Sequence, residues 1–211
     1  NNGSSPDLAA HLFNFSRGFD WATASAYAYL VDWQVDERAA LSSNTFGVRL
    51  DGSSPLSALD LLYVAEYARQ MDAGDNPRDF SLDYGHLVVG VRRGAWSVRA
   101  GWELKDGNGV SAVQTPLGTN HGRNGFADKL VVTPPDGSHD RYLRVSMDRD
   151  RWSWLVSLHD FEAARGGAGL GRELDFQGRF SPTDSLSLFL KVAHYRADTL
   201  STDATKGMFW T

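Results

Sequence analysis

Charged residues in this chain sit at alternate positions within apolar stretches. Arg49, Glu66, Arg99, Glu103, Arg144, Asp148, Asp175, Arg179 and Lys191 each lie beside Val, Leu, Trp, Tyr, Phe or Met. A face carrying both signs can hold arginines extended against carboxylates, and rows of basic side chains favour anions such as uronates. The blander reading is a hydrated, salt-bridged wall. Nucleophilic chemistry is hard to build from the same sequence. Six histidines are present, but no Gly-x-Ser-x-Gly or His-Glu-x-x-His occurs. His159-Asp160 and Ser138-His139-Asp140 are adjacent pairs, and neighbouring residues of a strand face opposite ways. No enzyme and no cofactor is expected.

Metal chemistry is equally sparse. Without cysteine there are no disulfides, thiolate ligands or haem attachments. Asp106-Gly107-Asn108-Gly109 and the group Asp72, Asp75, Asn76 and Asp79 offer hard oxygens for calcium, but neither has EF-hand spacing. A net charge of -5 argues against nucleic acid.

The elements that must position these residues are strands. Trp96, Val98, Ala100, Trp102 and Leu104 alternate with Ser97, Arg99, Gly101, Glu103 and Lys105. The same period of two runs through Trp152–His159, Glu173–Phe180 and Leu186–Ala193. Phe46, Val48 and Leu50 oppose Thr45, Gly47 and Arg49, while Leu59–Ala68 alternates less cleanly. Tyr27, Tyr29, Val31 and Trp33 form the apolar face of an earlier strand, opposite Ala24, Ala26 and Ala28. The stretch from Phe80 to Arg92 is apolar on both sides and leaves its parity open. Ten strands are legible, with an eleventh at Lys206–Trp210.

Connections alternate short and long. Tight turns fall at Gly18-Phe19-Asp20, Gly52-Ser53-Ser54-Pro55, Arg93-Gly94-Ala95, Arg149-Asp150-Arg151 and Ser181-Pro182-Thr183-Asp184. Longer polar stretches run from Gln34 to Asn44, Met71 to Asp79, Lys105 to Asp140, Asp160 to Arg172 and Arg196 to Thr205. An antiparallel meander then has all its turns at one end and all its loops at the other, the asymmetry of an outer-membrane barrel. Mean hydropathy is only -0.36, but a barrel strand is apolar on one face alone. Runs of about 9–12 residues fit a tilted crossing of the bilayer, and no run approaches the roughly 20 apolar residues of a spanning helix. The expected fold class is all-β: an antiparallel up-and-down transmembrane β-barrel, one domain over 1–211 with a long loop at 105–140. Its apolar faces would meet lipid and its charged faces a wet lumen.

The long loop exceeds the length of a simple connection. Its stretch from Asn120 to Leu130 mixes polar and charged residues around Phe126 and Leu130. His121, Arg123, Asn124, Asp128 and Lys129 are candidates for the tips of a constriction folded into the lumen. An external lid held by Phe126, Leu130 and Pro134-Pro135 is the other arrangement.

The segment from Gln114 to Leu130, QTPLGTNHGRNGFADKL, resembles a TPLxTxHxxNGxADKF-type segment of alginate-export-like outer-membrane proteins. Leu61–Gln70 followed by Gly74-Asp75-Asn76-Pro77, and His159-Asp160-Phe161 followed by Gly171–Asp175, resemble that family too. The order matches the C-terminal half of such proteins. The resemblance implies a large porin-like barrel in the bacterial outer membrane that passes a hydrophilic solute, an anionic polysaccharide being one candidate. Membrane lipid and lipopolysaccharide would be its surroundings.

Two other readings compete. A secreted β-sandwich could bind polysaccharide through Trp96, Trp102, Trp152 and Trp154, and a structural barrel could enclose a partner protein. An open sheet of ten strands leaves unpaired edges, which lipid does not tolerate. Further chain completing the wall, closure into a smaller barrel or edge-to-edge pairing of copies would each resolve this, and further chain is the expectation. The start, Asn-Asn-Gly-Ser-Ser-Pro, is not a signal peptide, so any targeting segment would lie outside the chain.

Overall fold

The computed structural model describes residues 7–115, 117–118, 124–198 and 206–210. Eleven strands are described: β1 Leu8–Gly18, β2 Ala22–Trp33, β3 Ser43–Leu56, β4 Leu59–Asp72, β5 Ser81–Arg93 and β6 Trp96–Lys105, then β7 Ser138–Arg149, β8 Trp152–Glu162, β9 Gly169–Thr183, β10 Leu186–Ala197 and β11 Lys206–Trp210. They form one sheet in sequence order, every neighbour antiparallel. Among the described residues there is no second sheet, which overturns the sandwich reading, and β1 and β11 do not pair.

The first ten strands run from 10 to 15 residues, longer than the 5–6 usual in soluble sheets. Two-residue turns join β3–β4, β5–β6, β7–β8 and β9–β10. Ser57, Gly94 and Asp150 take positive φ there, as tight hairpins with right-handed strand twist require. Two turns lie later than the sequence suggests. β3 continues through Gly52–Pro55 to a turn at Ser57-Ala58, and β9 continues through Ser181-Pro182. In each case the strand on the far side has stopped pairing, at Gly52 and at Phe180. Proline is tolerated on such an edge because no ladder bond is lost. The longer connections, 34–42, 73–80, 106–137 and 163–168, all lie at the other end.

The sheet curls. Leu12 of β1, Tyr27 of β2, Glu66 of β4, Lys105 of β6 and Leu117 of the long loop line one cavity of about 630 Å³. In a flat sheet β1 and β6 would stand about 24 Å apart. The inner face is therefore concave. Its apolar clusters lie between wall and loop: Val113 packs with Ala68, Phe80, Leu82 and Tyr84, and Phe126, Ala127 and Leu130 pack with Phe161, Ala193 and Tyr195.

The outer face is apolar and open. Phe13, Phe15, Val48, Leu87, Val89, Trp96, Trp152, Leu158, Leu188 and Leu190 are all exposed on it. Trp152 stacks on Phe180 with ring centroids 4.2 Å apart, and Trp96 meets Trp154 edge-on at 5.1 Å. These rings form an aromatic belt at the turn end. One strand reverses the expected facing. Tyr27, Tyr29, Val31 and Trp33 of β2 point inward, and Ala24, Ala26 and Ala28 point out. Cross-strand neighbours explain the reversal. Ala26 and Ala28 lie between Phe15 and Val48 and between Phe13 and Phe46, whose rings and methyls supply the apolar surface. Inside, Gly47 leaves space that the Tyr27 ring fills.

Candidate functional site

Pairing fixes which side chains share a face, because directly opposed residues project the same way. Arg49 opposes Glu66, Glu66 opposes His86, His86 opposes Glu103, and Glu103 opposes Asp140. Further along the same strands Arg99 opposes Arg144, Arg144 opposes Ser157, and Ser157 opposes Asp175. Asp148 and Arg179 both oppose Ser153, and Lys191 opposes Gln177. All nine charged residues singled out in the sequence thus lie on the concave face.

They do not form one group. Arg49, Arg99, Glu103 and Arg144 line a cavity of about 540 Å³ together with Asp51, His86, Arg92 and Tyr142. Glu66 lies just beyond it, where its carboxylate accepts from Tyr27 Oη at 2.8 Å and meets Arg49 Nη1 at 2.6 Å. Arg49 also reaches Asp51 at 2.8 Å. Glu103 accepts from Tyr84 Oη at 2.7 Å, and His86 Nε2 lies 2.9 Å from Tyr142 Oη. Asp175 and Lys191 lie beneath the long loop, whereas Arg179 and Asp148 are exposed toward the turn end.

The long loop is held against the inner wall by three sets of contacts. Gln70 and Gln114 exchange bonds at 2.8 and 2.9 Å, and Gln114 is tied to Thr133 within the loop at 2.8 and 3.1 Å. Asn124 is clamped between Lys105 Nζ and Glu103. The backbone N–H of Phe126 donates to Asp175, and that of Ala127 donates to Glu173 at 2.7 Å. Phe126 then inserts between wall side chains, with Lys191 Nζ 4.2 Å above its ring. The described part of the loop thus packs against the concave wall. Asn124 is an anchor rather than a projecting tip. Asp128 and Lys129 are half-buried, Lys129 Nζ lying 5.8 Å from the Tyr195 ring. His121 and Arg123 lie outside the described residues.

Beneath the loop is a group that adjacent-pair reasoning misses. His159 Nδ1 lies 2.8 Å from Asp140 Oδ2, and its Nε2 lies 3.2 Å from Ser157 Oγ. Carboxylate, imidazole and hydroxyl thus stand in the order of a charge relay. Ser157 is fully buried, and its Oγ also donates to Asp175 at 3.3 Å. The imidazole stacks between the rings of Tyr142 and Phe161. Nothing can approach that hydroxyl, so the group stabilises the wall. Its signal was the i, i+2 pair Ser157 and His159, which share a face.

Solved structures give the frame for this wall. OprD, an outer membrane protein from Pseudomonas aeruginosa, matches with a TM-score of 0.70 and 14% identity, over 97% of this chain and 61% of that one. OpdK of the same organism, solved with vanillate, matches at 0.67 and 11% identity over 96% and 57%. OccAB2 of Acinetobacter baumannii matches at 0.66 and 14% identity over 95% and 55%. The fold is that of an OprD-type outer-membrane barrel. This chain spans 55 to 61% of the length of those three proteins. No family model and no curated protein matches the sequence.

In an OprD-type wall the concave face is the inner one, and the sequence reading named only part of its charge. Asp51 and Tyr142 share parity with Arg49 and Arg144, so spacing could have found them. His86 and Arg92 lay in the stretch whose parity was open, and pairing of His86 with Glu66 and Glu103 settles it. The calcium candidates are engaged locally: Asn76 donates to Ser42 O at 2.8 Å, and Asn108 Oδ1 accepts from Ser111 N at 2.8 Å. Among the described residues no three His, Asp or Glu side chains converge as metal ligands.

Proposed function

We propose that the chain forms part of the wall of a porin-type channel in the bacterial outer membrane, through which small hydrophilic, anionic solutes diffuse. The observation that carries this reading is Arg99 directly opposite Arg144 on the concave face. Like charges so placed destabilise a sheet. Arg49, paired with Glu66 and Asp51, and Arg92, paired with Asp60 at 2.9 Å, line the same cavity. A cluster of guanidinium groups facing open space lowers the barrier to an anion, and its planar forks suit carboxylates. Passage is by size and charge, narrowed by the inserted loop. The crystal structure of OpdK with vanillate, a small carboxylate, supports the same solute class.

A finer reading, an alginate-export-like channel for uronate chains, rests on sequence resemblance alone, chiefly that of residues 114–130. Both are tested in planar bilayers with the full-length protein. Arg99→Gln with Arg144→Gln should move the reversal potential toward cation preference, and an unchanged value would sink the anion path. Oligo-uronate that blocks current no better than a small carboxylate would remove the finer assignment.

A further inference from the structure

On the outer face, pairing lines side chains up in rows across β6 to β10. Val98, Val145, Val156, Phe176 and Val192 make one row. Two residues nearer the loops, Ala100, Leu143, Leu158 and Leu174 make the next, ending in His194. Leu143, Leu158 and Leu174 are 45%, 52% and 46% exposed. Two residues further, the row changes character: Trp102, Arg141, Asp160, Arg172 and Arg196. The change from wholly apolar to charged takes one row.

We propose that this boundary is a binding site for a phosphorylated glycolipid of the outer leaflet, of the lipopolysaccharide type. The site rests on the membrane reading above. Both rows border one shallow groove of about 810 Å³. A ligand filling it needs acyl chains against Leu143, Leu158 and Leu174, and anionic groups one step higher. Arg172 and Arg196 stand on adjacent strands, about 5 Å apart at the backbone, and can share one phosphate. Arg141 stands two strands from Arg172, about 10 Å away, within reach of a second. Asp160 meets Arg172 at 2.9 Å and Glu162 meets Arg141 at 2.5 Å, which keeps both guanidinium groups spread along the wall. The Arg172 side chain is 79% exposed, and exposed pairs are weak enough to rearrange around a phosphate. Trp102, 5.5 Å from the His139 ring, adds an aromatic at the same level, where interfacial rings gather.

The test uses the full-length protein in detergent, with lipid binding followed by native mass spectrometry. The probes are bis-phosphorylated lipid A, its dephosphorylated form and inorganic phosphate. Arg141→Gln/Arg172→Gln/Arg196→Gln should weaken the bis-phosphorylated lipid at least tenfold, leave the dephosphorylated form unchanged and keep conductance intact. Should the triple variant fail to fold, Arg196→Gln alone should weaken it about threefold. Equal loss for both lipids, no loss, or displacement by millimolar phosphate would overturn the site. A protein that stays soluble without detergent and conducts no current would instead overturn the membrane reading on which the site rests.

Discussion

Replacing Gly125 by alanine should unseat the inserted loop. Gly125 adopts φ +81°, and a Cβ there would stand 2.5 Å from the Glu173 carboxylate. The backbone term costs about 1–2 kcal/mol for a residue that is not glycine. Moving Glu173 aside also leaves the buried Ala127 N–H without its acceptor, which costs about 1–3 kcal/mol. Together they come to about 2–5 kcal/mol. Burial of Phe126 and Leu130 opposes this with about 1.5–3 kcal/mol each. Seated and released loops then become comparably populated, a shift of roughly one and a half to three and a half orders of magnitude at about 1.4 kcal/mol per tenfold. In planar bilayers the full-length variant should show larger, noisier openings, and trypsin should cut after Lys129. Gly94→Ala is the control, since Gly94 has φ +56° but open space around its Cβ position. It carries the backbone term without the contact and should conduct normally. Identical openings and equal trypsin resistance in Gly125→Ala would refute the latch.

Asp140→Ala should destabilise the folded wall by about 1–3 kcal/mol, because it leaves the buried His159 Nδ1 without its hydrogen-bond partner. Ser157→Ala should cost about 1 kcal/mol. Heat-modifiable migration of the full-length protein compares them, and equal losses would contradict the network. On the outer face, Val156→Arg should cost about 2–4 kcal/mol, and Leu174→Arg, one row below the arginines, closer to 1 kcal/mol. Denaturant titration in lipid vesicles reads both, and a reversed order would misplace the bilayer boundary.

Strand parity was legible wherever one face alone was apolar. Trp152–His159 needed nothing but alternation, because lipid-facing and inner positions differ in chemistry there. β2 misled because both faces are apolar. Its alanines gain an outward apolar surface only from Phe13, Phe15, Phe46 and Val48 on other strands, and no single-strand pattern contains that. β5 stayed ambiguous for the same reason: Val88 faces in and Val89 out, and only pairing decides. Gly52-Ser53-Ser54-Pro55 reads as a turn by composition, yet it continues β3 from the last β2 pair at Gly52, and Pro55 lies beyond that pair, where proline breaks no ladder. The charged inner face could be listed residue by residue, but its division could not. Which carboxylates serve the cavity and which tether the loop depends on where Asn124 and Phe126 land.

Both faces of β9 change role at one place. Arg172 stands in the outer charged row, and its neighbour Glu173 points inward to hold Ala127. On β6, Trp102 borders the outer groove while Glu103 holds Asn124. Adjacent strand residues face opposite ways, so the loop's anchors lie directly behind the outer row of arginines. On the proposed reading, the narrow part of the passage would therefore be level with the lipid headgroups on the loop side. The Arg99–Arg144 pair lies deeper, four residues from Glu103 along β6, about 13 Å at 3.3 Å per residue. On the proposed channel reading, a solute entering from the loop side would meet the loop seated by Phe126 first and the arginines after it. A bulky anion would then be rejected by size before charge could act on it. Opening the loop should raise the size limit without altering ion preference, whereas changing Arg99 and Arg144 should do the reverse. A variant that moved both together would show that constriction and arginines form one filter.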